Sequence, residues 1–389
     1  MIPNLRYTLC VIFLMAILSC DSRNRFMGDE NETSKSVLVK KAEATTTQKL
    51  SSIFSSGKVI RLSSKGKGAF NINRMFLKGG NIYVLDKSIA KGVFVYNEKG
   101  EFVKQIGSVG EAPGEYLSIN GLDVYGENVY ISSSPNEVLV YDLAGNFIKN
   151  VSLEFEFTSF TATKNGFLFF NDFRGTSSGK FKNFNVIELD RDFKFVKGHF
   201  PFSEEMVGNV VLAYETNFQR GVDEAIYFSA PFSNKIYEFK NDRFVLFSTF
   251  SFDHMPFPDD FHKRRNDVNE FQKVLGYSRI DAPFFVSQAQ IFSSMSIEGR
   301  RYYWSEKNSK KDLIEHFEDD LFGFQFYNFI NSDSNYVAAS VNMTMLTISL
   351  NPNNVTPLMP SEEKILKEYV EKTGLKPEMS EPIAVVFSM

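Results

Sequence analysis

The chain has 389 residues, 43% hydrophobic and 23% charged, with a net charge of −4. That is the composition of a folded globular protein, and the absence of a Lys/Arg-rich stripe with interleaved aromatics argues against a nucleic-acid partner. The 41 Phe and 16 Tyr favour half-buried pleated surfaces and point to an all-β fold, for which one large closed unit accommodates the whole length.

Residues 1–19 are a processing segment. Arg6 supplies the positive flank, and the apolar run from Leu9 to Leu18 is too short to span a bilayer and ends in Leu18-Ser19-Cys20. That ending resembles a bacterial lipobox. The resemblance implies that the Cys20 thiol takes a diacylglycerol and becomes the first mature residue, so that acyl chains of the palmitate kind anchor the protein in a membrane. An ordinary secretory signal and an uncleaved anchor are the alternatives. The only other cysteine, Cys10, lies inside the signal, so the mature chain has no disulfide and no catalytic thiol. Residues 20–56, rich in Ser, Thr, Lys and Glu around AEATTTQ, read as a flexible tether.

Residues 57–350 read as a six-bladed β-propeller. Val59-Ile60-Arg61-Leu62 is a short alternating strand without an obvious place in the ring. From Gly80, GNIYVLDKSIAKGVFVYNEKGEFVKQIG is answered by ENVYISSSPNEVLVYDLAGNFIKNVSL. Tyr96–Phe102 (YNEKGEF) thereby lies over Tyr141–Phe147 (YDLAGNF), an offset of 45 residues. Short alternating strands joined by tight turns at that period are the mark of a propeller blade. A third copy runs through Leu189-Asp190-Arg191-Asp192-Phe193, and a fourth carries Tyr237 to Phe244 in the same turn register. SIEGRRYYWSEK, from Ser296, reads as the second strand of a fifth blade, with DLIEHFED as its partner; SNYVAASVNM, from Ser334, reads as the same strand of a sixth.

A short helical insertion, 253–295, interrupts the ring. Asp259 or Asp260 caps a helix that runs to Leu275 and stops at Gly276, with Phe261, Val268, Phe271 and Leu275 on one face. Arg264 and Arg265 fall in its first turns, either as a solvated face or as a lid whose cations meet an anionic ligand. Residues 351–389 hold a C-terminal helix, from Ser361 to Gly374, and a ring-closing strand, Pro382 to Phe387.

Between the first two blades, Gln105-Ile106-Gly107 precedes Gly110-Glu111-Ala112-Pro113-Gly114-Glu115-Tyr116. With the lipobox, the Tyr-to-Phe turns and the terminal EPIAVVF strand, this loop resembles the six-bladed β-propeller lipoproteins of Bacteroides-type bacteria, a branch of the NHL/TolB-like propellers. The resemblance covers Cys20 and about 59–389. It implies an outer-membrane lipoprotein of the cell envelope, facing either side, and supplies no reaction. Ala112 stands where that family commonly has Gly, which the turn tolerates only at negative φ. Pro113-Gly114 is the chemistry of a type II turn. Glu115 and Tyr116 then either lead into the innermost strand of the second blade or face the channel mouth as ligand contacts.

Further candidates are few. Asp172 with Arg174, and Arg220 with Asp223, sit where loops reach the channel, as ligand contacts or as blade-to-blade bridges. Trp304, beside Tyr302 and Tyr303, has the chemistry to stack on a sugar, although alternate members of that trio point into the core. Four scattered histidines lack zinc spacing, and no nucleophile elbow, phosphate loop or dinucleotide fingerprint is present. The sequence therefore reads as a propeller tethered through Cys20 that binds or scaffolds an envelope protein, peptide or glycan, with no catalytic residue, metal or cofactor assigned. The alternative is a propeller lyase, lactonase or glycosidase working through channel carboxylates, with or without calcium. A third reading is an accessory subunit of an envelope complex.

Overall fold

The structure, a computed structural model, describes residues 34–63, 68–69, 71–133, 135–176, 179–208, 217–221, 224–258, 261, 267–287, 290–324, 327–333, 336–341 and 382–388. Three strands precede the first full blade: β1 (Lys35–Val39), β2 (Ala44–Lys49) and β3 (Ser56–Arg61). Blade I is β4 to β7 (Arg74–Lys78, Asn81–Asp86, Gly92–Asn97, Phe102–Ile106), and blade II is β8 to β11 (Gly121–Tyr125, Asn128–Ser133, Glu137–Asp142, Phe147–Ser152). Blade III is β12 to β15 (Ser159–Ala162, Gly166–Phe170, Phe184–Asp190, Phe195–Pro201), and blade IV is β16 to β19 (Phe218–Arg220, Ile226–Phe228, Lys235–Lys240, Arg243–Phe252). Blade V is β20 to β23 (Arg279–Val286, Gln290–Ile297, Arg300–Lys307, Lys310–Glu318). Blade VI joins β24 (Tyr327–Asp333), β25 (Tyr336–Val341) and β26 (Ile383–Ser388) to β3 as its outermost strand.

The fold is thus a six-bladed propeller, closed by pairing the C-terminal strand with a strand from near the N-terminus, Ile383 to Ser388 against Arg61 to Ser56. This gives the alternating segment at Val59–Arg61 its place. Six apolar clusters, each shared by two neighbouring blades, make one continuous core around the ring. The Tyr-to-Phe repeat is the turn between the third and fourth strands of a blade. Tyr96 meets Phe102 edge-on at 6.0 Å and Tyr141 meets Phe147 at 5.7 Å, each beside a register shift. In the turns Asn97 Oδ1 accepts the N–H groups of Lys99 and Glu101, and Asp142 Oδ1 accepts that of Asn146. Phe193 takes the position of the turn glycine in blade III, at φ +63. Blade IV departs from the grammar: Asn241 and Asp242, both at positive φ, make a two-residue hairpin turn instead.

Three expectations need correction. The tether does not reach residue 56: β1 adds in parallel to β19, and β2 to β23, as fifth strands of blades IV and V. Val37 and Val39 are buried in the blade IV/V core, and Lys35 and Lys41 pair with Glu306 and Glu298. These two strands cover sheet edges that would otherwise stand open. Second, the insertion ends near residue 278, because β20 and β21 are the first two strands of blade V; a helix is described at Val268–Gln272, followed by a 3-10 turn through Gly276. Third, the strand containing Tyr302–Trp304 is therefore the third of its blade rather than the second. Residues 1–33, with Cys20, and the C-terminal helix expected at 361–374 lie outside the described residues.

In each blade the four strands counted outward from the axis alternate in direction, and only the added β1 and β2 run parallel to their neighbours, so the ring has two unlike ends. One, the turn face, carries the connections between first and second strands and between third and fourth strands. Its longest is the five-residue segment 221–225. The other, the loop face, carries the second-to-third and blade-to-blade connections; among the described residues these include 107–120, 171–176, 179–183, 202–208, 253–258, 267–278 and 319–324. Two satellite cores stabilise loops there: Phe232, Phe257, Phe261 and Val274 in one, and Phe173, Phe202 and Met206 in the other.

Candidate functional site

On the axis, toward the turn face, the last residue of β16 extends a buried guanidinium between blades. Arg220 Nη1 and Nη2 donate to the two oxygens of Asp123 at 3.4 and 3.2 Å, and Nη2 also reaches Thr161 Oγ1 and the Ala162 carbonyl. Asp333, closing β24, lies 3.5 Å from Nη1, and the Tyr125 ring covers the group at 4.7 Å. Asp123 Oδ2 further accepts from Thr161 Oγ1 and from the Ala162 N–H at 2.7 Å. Burial disfavours the charged guanidinium, but the two aspartates outweigh it and hold the group above its ordinary pKa. The Tyr125 hydroxyl, desolvated and donating to Glu224, is pushed up to about 12. Blades II, III, IV and VI thus meet at Arg220. The two axial carboxylates converge as a tie between blades, with their oxygens turned to that cation. Among the described residues, no group of three or more His, Cys, Asp and Glu is arranged to hold a metal.

The 107–120 loop is built from within. Glu115 N–H donates to the Ala112 carbonyl at 2.8 Å and Gly114 sits at φ +82, which is the type II turn expected of Pro113-Gly114. Ala112 keeps negative φ. The Glu115 carboxylate folds back to accept from the Ala112 N–H and Ser108 Oγ, both at 3.0 Å, and these bonds lower its pKa. It lies so close over Gly110 that a Cβ there would stand 1.9 Å from Oε2. Tyr116 is buried in the blade I/II core, and Tyr141 Oη donates to the Gly114 carbonyl at 2.8 Å. The loop therefore knits blade I to blade II, and both candidates are occupied in doing so.

The other candidates are dispersed. Asp172 is buried at φ +56 in the 171–183 loop, and Arg174 pairs with Glu156 across two neighbouring loops on the loop face. Arg264, Arg265 and Asp223 lie outside the described residues. Trp304 is not an exposed platform: it is buried between blades IV and V, edge-on to Phe250 at 6.2 Å.

The residue that does face open space is its neighbour. Strand alternation turns Tyr303 to the opposite side of blade V, where it lines a cavity of about 230 Å³ between blades V and VI at the loop face. Asp281, Ser294 and Tyr303 stand in one row across β20, β21 and β22, with Arg279 and Arg301 in another row two residues along. Tyr327, Asn328 and Phe329, opening β24, make the opposite wall. Register shifts flank the cavity on both innermost strands, where Ala282-Pro283 and Ile330 leave their ladders.

Its walls are held firmly. The Arg279 guanidinium donates to Asp281 Oδ1 at 2.9 Å and to the carbonyls of Val274 and Tyr277, so the 253–278 loop is fastened to the rim. Asp319 accepts the N–H groups of Leu321, Phe322 and Phe324 and the Tyr327 hydroxyl; burial, and then the Asp319 charge, raise the pKa of that phenol. The Tyr303 ring packs on Phe317 at 4.7 Å, Phe292 at 5.9 Å and Phe329 at 5.9 Å. Apart from Tyr303, which was noted only as a neighbour of Trp304, sequence reasoning missed these residues. They come from four strands with no common motif.

The family model described as "Domain of unknown function (DUF4934)" matches residues 35–379. Among solved structures, the chain is similar to a "putative exported protein" of Bacteroides fragilis, at 16% identity and a TM-score of 0.72, covering 91% of this chain and 99% of that one. A more distant likeness is to virginiamycin B lyase of Staphylococcus aureus, at 10% identity and a TM-score of 0.41, covering 86% of this chain and 99% of that one. No curated protein matches the chain.

Proposed function

The chain belongs to the DUF4934 family of domains of unknown function, and from that premise we propose that it is an envelope recognition module, which grips its ligand at the loop face of the ring. The observation that carries the reading is the asymmetry of the two ends. The turn face is reduced to tight connections, with the buried Arg220 tie between four blades behind them, while the loop face bears the long connections, both satellite cores and the cavity between blades V and VI. Binding residues concentrate on loops that a rigid scaffold positions.

The same proposal places the chain outside the cytoplasm as an outer-membrane lipoprotein of the NHL/TolB-like kind, anchored through Cys20. Leu18-Ser19-Cys20 and the short apolar run before it support this. A Cys20→Ala variant then appears in the soluble envelope fraction and takes up no labelled palmitate; an unchanged membrane fraction would contradict the anchor.

The face assignment is tested by single-cysteine photo-crosslinking in cells, because the mature chain offers no competing thiol beyond Cys20. A benzophenone maleimide on Leu117→Cys, in the 107–120 loop and 64% exposed, is expected to capture a discrete adduct. The same group on Lys99→Cys, in a turn of the other face, captures none. Adducts only from position 99 would overturn the proposal.

A further inference from the structure

We infer that the cavity between blades V and VI is a subsite for an acidic sugar, a uronate residue of a glycan, with Arg301 receiving its carboxylate. The inference rests on the loop face being the recognition face and goes on to name the ligand class.

Charge comes first. Two guanidiniums and one carboxylate line the cavity, and Asp281 is already bound to Arg279 at 2.9 Å. Arg301 is exposed and has no hydrogen-bond or ion-pair partner among the described residues. The nearby Asp319 is turned to backbone N–H groups and the Tyr327 hydroxyl. A protein of net charge −4 thus keeps one uncompensated cation in its cavity. A guanidinium fork is shaped for a planar carboxylate and binds it bidentately.

Size and wall chemistry narrow the body that carries that carboxylate. At 230 Å³ the cavity falls below the roughly 300–1,000 Å³ of pockets for drug-sized ligands, so it admits one monosaccharide-sized unit of a longer chain. Tyr303 is a flat wall already fixed by three aromatic neighbours, so little side-chain entropy is lost when a sugar ring lies against it. Ser294 and the exposed Asn328 supply hydrogen-bonding groups of both senses, as ring hydroxyls require. A peptide added as an extra strand has no place on blade V, whose outer edge is taken by β2.

The test uses the full-length chain in detergent with tetragalacturonate, its fully methyl-esterified counterpart, and a short peptide in free-acid and amide forms. Titration calorimetry at low and high salt reads the affinities. The acid oligomer is expected to bind, the ester to bind about tenfold or more weakly, and Arg301→Gln to reduce acid binding by a similar factor while leaving the unfolding midpoint in place. Tyr303→Leu, which keeps an apolar contact in the core, is expected to weaken acid and ester alike. Equal binding of acid and ester, insensitivity to Arg301→Gln, preference for the free-acid peptide, or no uptake of the acid oligomer at millimolar concentration would each overturn the inference. Because the crosslinking from positions 117 and 99 does not depend on ligand class, its failure is read separately from this one.

Discussion

The turn face uses at most five residues on any connection, whereas the loop face uses 107–120 between blades I and II and 253–278 between blades IV and V. The same antiparallel strands end at both faces, so the difference lies in the connections and not in the sheets. Where turns are short, their residues meet strict backbone demands: Gly100 at φ +82, Gly145 at φ +77, and Asn97 and Asp142 capping backbone N–H groups. Where connections are long, they bring their own small cores and leave apolar side chains uncovered. Val109, Leu117 and Met255, all more than half exposed, lie on long loop-face connections, while the equally exposed Leu38, Val103, Ile148 and Val196 lie on outer strands. The short connections are therefore constrained by their own backbone, and the long ones have room for side chains that serve other purposes.

The largest expected effect breaks the turn face at its axis. Arg220→Met leaves Asp123 buried without its cation and is expected to lower stability by about 3–5 kcal/mol, read as a shift in the urea midpoint. A loss below about 1 kcal/mol would show that the four blades do not depend on this tie. The next sharpens the point about turns by comparing two glycines. Gly100→Ala would place a Cβ 2.0 Å from the Arg61 carbonyl oxygen, a backbone atom that cannot yield, whereas Gly79→Ala meets nothing within 4 Å. The first is expected to cost about 1–3 kcal/mol and the second about 1 kcal/mol or less, both being at positive φ.

How much of this was legible in sequence depended on whether a feature was local. The Tyr-to-Phe turns, the Pro113-Gly114 turn and the closing strand carry their signals within a few residues. Each is found where those signals place it, except in blade IV, where the two-residue turn at Asn241-Asp242 replaces the Tyr237-to-Phe244 register. β2 was missed because an outermost strand is solvated: Thr45, Thr46 and Thr47 are exposed, so the stretch looks like tether although Thr suits a pleated edge. Trp304 was offered as a platform and Tyr303 overlooked, because one step of strand parity decides which of them faces the blade V/VI cavity. The cavity itself was invisible, since it depends on the register that sets Asp281 opposite Ser294 and Ser294 opposite Tyr303.

On the loop face, smaller effects follow. The bonds from Ala112 and Ser108 lower the Glu115 pKa below the ordinary 4.5. A depressed carboxylate contributes its stabilisation fully above the unfolded value and loses it as pH falls through the folded one. The advantage of the wild type over Glu115→Gln is therefore expected to be constant above pH 4.5 and to fade below it, as read from unfolding midpoints across the acid range. An advantage that persists at pH 2 would place the effect elsewhere. Smallest of all, Leu117→Ser and Met255→Ser should each change stability by no more than about 0.5 kcal/mol. A larger loss would mean that these side chains serve the fold and not a ligand.

The most direct measurement is hydrogen exchange of the full chain in native envelope membranes against the same chain purified in detergent. If the loop face is the recognition face, amides of 107–120, 253–258, 267–278 and 319–324 are slower to exchange in the envelope, while those of the turns at 98–101, 143–146 and 241–242 are unchanged. Protection confined to the turn face, with the loops exchanging equally in both preparations, would contradict the account.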